Sequence, residues 1–420
     1  MFYSYVIIAI SFILVVVFIS KKRVSLKSAG VLFIWVTHFL GYPLFHLRYL
    51  LDNRYDSITT MSLDIPLSYS FIGISLYMLT ASLFKGGNVT NEIINFSEVR
   101  DLDLLKYSYL FLFTVSISAY VIMNGVSFNH SGDYADRLDD NAGNGLLLIN
   151  MVAFVPVIII NSIKSETKIS FYKSIIWIVM FGFTYFFVIG GSRNVFGAAV
   201  LIYILIGYYK GYLKSTHILI IGMSTFFLLN ILILLRYDVS LSNMDANKAT
   251  ALFISYFTDS ISPINYQADA IQFVLNSSAS IENSWGLFFN QFLALVPRFL
   301  WTDKPIVMMN SSYYFTQYVL GLPGNLNMAS TMLSSSIIIM KEYYYILYII
   351  AALLLSIMDF ALRSRYILVR MLIFISMPFL FFMARESLEL YLFILFKYFL
   401  MLLFGYIVYG FLYLILPRKI

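Results

Sequence analysis

Gly286-LFFNQFLALVPRFLWTDKPIVMM-Asn310 is the stretch on which the fold turns. From Ser284 to Trp301 it is apolar enough to enter a bilayer, yet it is too short and too broken at Pro297 to cross one. That pattern is a re-entrant or interfacial segment, so the residues around it read as one large loop and not as further spans. Within it, Arg298 stands beside Pro297 and Trp301, followed by Asp303, Lys304 and Pro305, while the rest of the chain reads as scaffold holding this segment at one membrane face.

Outward from that stretch the sequence is dominated by long apolar runs. Of 420 residues, 60% are hydrophobic and 12% charged, and mean hydropathy is +0.82. A soluble domain carries about a quarter charged residues, so the composition predicts an all-α polytopic membrane protein. A span needs roughly 20 apolar residues, a template that fits about 11 segments: 3–20, 29–47, 67–84, 107–124, 145–163, 172–190, 195–209, 216–235, 343–361, 366–383 and 389–416. The chain divides accordingly into N-terminal spans over 1–235, a large loop over 236–342 and C-terminal spans over 343–420. The N-terminus lacks a basic region ahead of its apolar run and a small-residue cleavage site after it, which reads as an uncleaved first span.

Sidedness follows from the basic residues. One set of loops holds 17 of the 28 lysines and arginines, among them Lys21, Lys22, Arg23, Lys85, Lys164, Lys210, Arg363 and Arg365. The other set holds 10, with Lys397 inside the last span. The positive-inside rule makes the richer set cytoplasmic, the N-terminus external and the C-terminus internal, and puts the large loop on the external side.

Several chemistries are disfavoured. Cysteine is absent, so thiolate metal sites and cysteine nucleophiles are excluded. No P-loop or strand-linked glycine fingerprint occurs, which argues against nucleotide-driven work on the inside. The net charge of +6 is distributed by membrane side and does not point to nucleic acid. The cluster Asp133, Asp136, Asp139 and Asp140 lacks the spacing of a calcium loop and reads as a solvated loop. Lys248 to Phe273 shows helix-like apolar spacing broken at Pro263, the mark of amphipathic helices at the interface.

The external arginines carry the strongest chemical signal. Arg193, Arg236, Arg298 and Arg385 sit at ends of hydrophobic segments, against the charge bias. An arginine near membrane depth costs a few kcal/mol unless it meets an anion or water, and its planar fork suits phosphate. Snorkelling to lipid headgroups, or pairing with a carboxylate such as Glu386 or Asp238, is the structural alternative for each. Candidates for a general base are Asp303, Asp259, Asp269, Glu386 and His130. Asp303, five residues after Arg298, has the best context, against an ion pair with Lys304 or a helix cap. Tyr313, Tyr314 and Tyr318 could stack on sugar rings but read first as interfacial belt residues.

Gly191-Ser-Arg193, the run Val296-Pro-Arg298-Phe-Leu-Trp301-Thr-Asp303-Lys-Pro305 and Arg385-Glu-Ser-Leu388 resemble the Wzy-type O-antigen (oligosaccharide repeat-unit) polymerases. The likeness in topology covers nearly the whole chain; the motifs are short, and Asn194 and Glu386 stand where the family often has glycine. The resemblance implies a GT-C-like, metal-independent, inverting membrane glycosyltransferase. Its substrates would be undecaprenyl-pyrophosphate-linked oligosaccharides, with membrane lipids and a chain-length regulator as further candidate partners and no cofactor. It implies a bacterial inner (plasma) membrane location with the large loop in the periplasm, pyrophosphate binding by Arg193, Arg298 and Arg385, to which the placement of the external arginines adds Arg236, and catalytic roles for Arg298 and Asp303. An O-antigen ligase would share this architecture. A lipid-linked oligosaccharide flippase would instead distribute polar residues through its spans, and a structural member of an assembly complex would tolerate loss of single external arginines.

Overall fold

A computed structural model describes residues 2–21, 25–51, 63–84, 101–125, 144–188, 194–214, 258–276, 284–296, 300–305, 308–323 and 327–415, with scattered positions between 216 and 254. All of its regular elements are helices. In chain order they are α1 (Phe2–Lys21), α2 (Leu26–Phe39), α3 (Gly41–Leu51), α4 (Asp64–Leu83), α5 (Leu102–Asn124), α6 (Gly145–Lys164), α7 (Lys168–Val188) and α8 (Asn194–Tyr209). The large loop contributes α9 (Ile264–Asn276), α10 (Ser284–Leu293) and α11 (Ser311–Tyr314). Then come α12 (Met332–Met340), α13 (Tyr345–Ala361), α14 (Ile367–Arg385) and α15 (Leu388–Ile415).

The chain is a polytopic membrane protein. Among the described residues eight helices are long and apolar enough to cross a bilayer: α1, α2 with α3, α4, α5, α6, α7, α14 and α15. A ninth candidate is the pair α12 and α13, bent by 117° at its junction. The segment expected to span at 195–209 is the shorter apolar helix α8 of 16 residues, and most of the segment at 216–235 lies outside the described residues. The expected helix break at Pro263 is present, since α9 starts at Ile264. So is the short helix expected after Ser284, whose α10 ends at Leu293.

Helices prevail because a backbone in hydrocarbon must satisfy its own hydrogen bonds. Their side chains then divide between lipid and bundle interior. Phe12, Ile13, Trp177 and Phe411 are exposed at positions a bilayer would cover, whereas Tyr77, Tyr109, Tyr203, Tyr348 and Tyr391 are fully buried. Each buried phenol finds a partner: Tyr109 donates to Leu402 O at 3.0 Å, Tyr77 to Lys27 O at 3.1 Å, and Tyr348 pairs with His38 Nε2 at 2.8 Å. Close approach needs small residues in a membrane bundle. Gly405 shows it, since a Cβ there would lie 2.0 Å from the Tyr109 ring.

The interruptions matter more for function than the regular spans. α2 stops at Phe39 and α3 starts at Gly41, freeing the Thr37 carbonyl, which accepts from Ser262 Oγ at 2.7 Å and Gln267 Nε2 at 3.3 Å. Gly41 N in turn donates to Ser262 Oγ at 2.8 Å, and any Cβ on Gly41 would stand 2.0 Å from the Ser262 carbonyl oxygen. α14 passes through a 3-10 turn, Met377–Phe379, and ends at Arg385. The α12–α13 junction turns through Lys341 at φ 51. We call the end of the bundle that receives Ser262 and Gln267 the loop end. The end at which α2 starts and α13 finishes is the far end. Irregular backbone at membrane depth is tolerated where it is buried in protein or lines a polar cavity, and the Thr37–Gly41 break falls at the loop end.

Candidate functional site

The site is built where α14 gives way to α15. Ser387 caps α15 by accepting from Leu390 N at 3.2 Å, which places Glu389 in the first turn of a 28-residue helix, where the helix dipole favours a negative charge. Two further helix starts lie around that carboxylate. Asn310 caps α11, accepting from Tyr313 N at 2.8 Å, and Thr331 caps α12, accepting from Ser334 N at 3.2 Å. Ser311 and Ser335, from their first turns, donate to Glu389, the latter at 3.1 Å to Oε1 and 3.2 Å to Oε2. Glu389, Ser311 and Ser335 are all buried to within 1%.

Arg385 sits four residues before Glu389 and binds the loop to the bundle. Its Nε donates to Ser260 O at 2.8 Å, Nη1 to Ala329 O at 3.0 Å and Nη2 to Asp259 O. The guanidinium is buried, and it ties together three carbonyls, two from the helical turn at 258–261 and one from the segment ahead of α12. Its charge is faced by Glu386, Asp259 and the Tyr266 phenol.

Between these two groups lies Glu386. Burial lifts its carboxyl from the ordinary 4.5 to about 7, with Arg385 opposing the rise and Glu389 adding to it. A carboxyl that changes charge near neutrality beside a fixed cation is the arrangement from which proton-transfer sites are made. Asp269, on α9, is also raised by desolvation.

The expected site residues separate under this geometry. Arg385, Glu386 and Asp259 come together, and Asp269 lies on the α9 helix that Tyr266 ties to them. Asp303 is exposed in the turn after α10. Its neighbour Lys304 sends its ammonium to Ala294 O at 2.6 Å and Val296 O at 2.9 Å, capping the end of α10. Arg193, Arg236, Arg298, His130 and the acidic loop lie outside the described residues. Of the tyrosines, Tyr314 and Tyr318 stack with ring centroids 4.6 Å apart. Sequence reasoning missed Glu389, Ser311 and Ser335. The one available signal was a carboxylate in the first turn of an apolar run, where ionisable residues are rare.

An apolar cavity of about 430 Å³ lies between α13, α14 and α15. Its lining includes Phe292 of α10, Leu354, Met358, Leu372, Leu392 and Phe396. Leu392 is one turn of α15 beyond Glu389, so cavity and charged cluster share a helix. Neither a protein-family model nor a solved structure matches this chain.

Proposed function

We propose that the chain is a membrane glycan polymerase, a GT-C-like inverting glycosyltransferase of about 11 spans. It transfers a growing glycan from undecaprenyl pyrophosphate to the non-reducing end of an incoming lipid-linked repeat unit at the periplasmic face of the inner membrane. The observation that carries the reading is the Arg385–Glu386–Glu389 cluster, with Arg385 and Glu389 buried and Glu386 partly so, set at the end of a membrane bundle and roofed by a loop. Transfer from a pyrophosphate needs charge stabilisation on the leaving group and a base for the acceptor hydroxyl. Three of the five N–H groups of Arg385 go to carbonyls, leaving two for an anion. Arg193, Arg236 and Arg298 supply the remaining cationic contacts on this reading, and the apolar cavity beside α15 takes the prenyl chain. Glu386 removes the proton of the acceptor hydroxyl, with Asp303 as the second candidate for that role.

The test is the lipopolysaccharide ladder of a deletion strain carrying the wild-type chain, Arg298→Ala or Glu386→Gln, with protein level checked by blot. Core with a single repeat unit in the deletion and both variants, and a ladder with wild type, is the expected result. Bare core without a single-unit band would instead favour an O-antigen ligase or a flippase. A full ladder from Arg298→Ala removes that residue from the site.

A further inference from the structure

The cavity of about 430 Å³ between α13, α14 and α15 reaches from Phe292 and Leu392, beside the charged cluster, to Ala361 and Val369 at the far end. Every side chain that lines it is apolar, so it is not a place for ordered water, which needs polar partners. Along α13 it runs from Leu354 to Ala361, about 10 Å at 1.5 Å per residue. Its flank is open, since Ile357, Phe396 and Phe399 of the lining are 62%, 43% and 42% exposed. An apolar groove that follows a helix and opens to hydrocarbon suits a lipid chain.

The far mouth of this groove is cationic. Its last lining residues, Ala361 and Val369, are joined by the turn 362–366, on which Arg363, Arg365 and Tyr366 are exposed. The turn is closed by Ser364 N donating to Ala361 O at 2.9 Å and Tyr366 N to Ser364 Oγ at 3.2 Å. Arg365 donates to the Tyr366 hydroxyl at 3.1 Å and lies over that ring, 5.1 Å from its centroid. Among the described residues it has no ion pair. Asp359, the carboxylate nearest in sequence, is on the opposite face of α13, where it accepts from Leu26 N and Lys27 N. Lys164, Lys168, Lys173 and Lys214 are exposed at the same end of the bundle. A guanidinium held on a tyrosine beside an apolar groove is complementary to a phosphate that carries a hydrocarbon chain. The basic face around it adds attraction for anionic headgroups.

We infer that the groove is a phospholipid site: an anionic phospholipid sets its phosphate on Arg363 and Arg365 beside Tyr366 and lays one chain between α13, α14 and α15. Lipid that merely borders the bundle would show no headgroup preference set by one arginine. The inference goes beyond the polymerase reading and does not rest on it. Under that reading, a prenyl chain entering from the loop end displaces the resident lipid.

Native mass spectrometry of the full chain in detergent tests it, with titration by palmitoyl-oleoyl phosphatidylglycerol and, separately, palmitoyl-oleoyl phosphatidylcholine. The two share their chains and differ in net headgroup charge. Wild type is expected to hold the first about tenfold more tightly. Arg365→Gln changes one exposed turn residue and should cut that preference about fivefold. Ala361→Leu fills the groove and should weaken both lipids about threefold with the preference intact. Equal binding of the two lipids by wild type, or an undiminished preference in Arg365→Gln, overturns the proposal. Unchanged affinities in folded Ala361→Leu remove the groove as the seat of the chain and overturn it too. Undecaprenyl phosphate is the third probe. If wild type holds it about tenfold more tightly than phosphatidylglycerol, with the same losses in both variants, the site belongs to the prenyl carrier and the phospholipid assignment falls.

Discussion

At the far end of the bundle Asp359 accepts from Leu26 N at 2.7 Å and Lys27 N at 3.4 Å, and the Lys27 ammonium donates to Ala81 O at 3.1 Å and Phe84 O at 2.6 Å. Lys210 nearby closes the last turn of α6, donating to Ile163 O at 2.5 Å and Ser165 O at 2.6 Å. At the loop end Arg385 likewise gives its donors to carbonyls, but around it two carboxyls lie close together. Both ends bury charge. One uses it to finish helix termini; the other also sets two carboxyls, Glu386 and Glu389, beside the cation. Buried charge alone therefore does not mark a functional site in this membrane protein, whereas carboxyls gathered beside a buried cation do.

Substitutions can break this contrast. Arg385→Ala removes three hydrogen bonds to partly buried carbonyls, and a loss of about 2 to 4 kcal/mol in unfolding free energy is expected, with activity abolished; denaturation of purified protein measures it, and an unchanged stability would show the loop to be held by other means. Glu386→Gln should lower the polymerisation rate by about 10² to 10⁴ while leaving the fold intact. Its stability effect has a definite sign. Because the folded carboxyl titrates near 7 and the free one near 4.5, the native state holds more protons between those values, so wild-type stability falls as pH rises through that window. The Gln variant should melt above wild type beyond pH 7 and level with it below 4.5. Wild-type activity should correspondingly show an acid limb near pH 7, because the base must be ionised to act.

At the far end, Asp359→Ala should cost about 1 to 2 kcal/mol, the value of a helix cap, with activity per folded molecule unchanged. Lys210→Met should cost about 1 kcal/mol or less and leave the ladder intact. A loss of catalysis from either would erase the distinction between the two ends.

Legibility in the sequence followed the same division. The spans α1 to α7 and α14 to α15 could be read because each is a run of about 20 apolar residues with charge at its flanks. The α12–α13 bend and the α2–α3 break could not. Hydrophobicity continues through Leu40 and Gly41 without interruption, and the residue that receives the freed backbone, Ser262, is 221 positions away. Arg385 was visible as a cation opposing the charge bias, and Glu386 as its neighbour. Glu389 was hidden at the start of a long apolar run, and Ser311 and Ser335 were hidden because serine in a loop or apolar helix is commonplace.

The reach of Arg385 also orders events in time. Its acceptors Asp259, Ser260 and Ala329 precede it by 126, 125 and 56 residues. A chain emerging from the ribosome makes those carbonyls well before the guanidinium that will bind them, and the loop has no anchor at this point until α14 is complete. Membrane insertion therefore passes through a stage in which Ser262 can already dock on the Thr37–Gly41 break while the contacts of Arg385 to 259, 260 and 329 are still missing. The last two spans are then the step that converts an inserted protein into an assembled one.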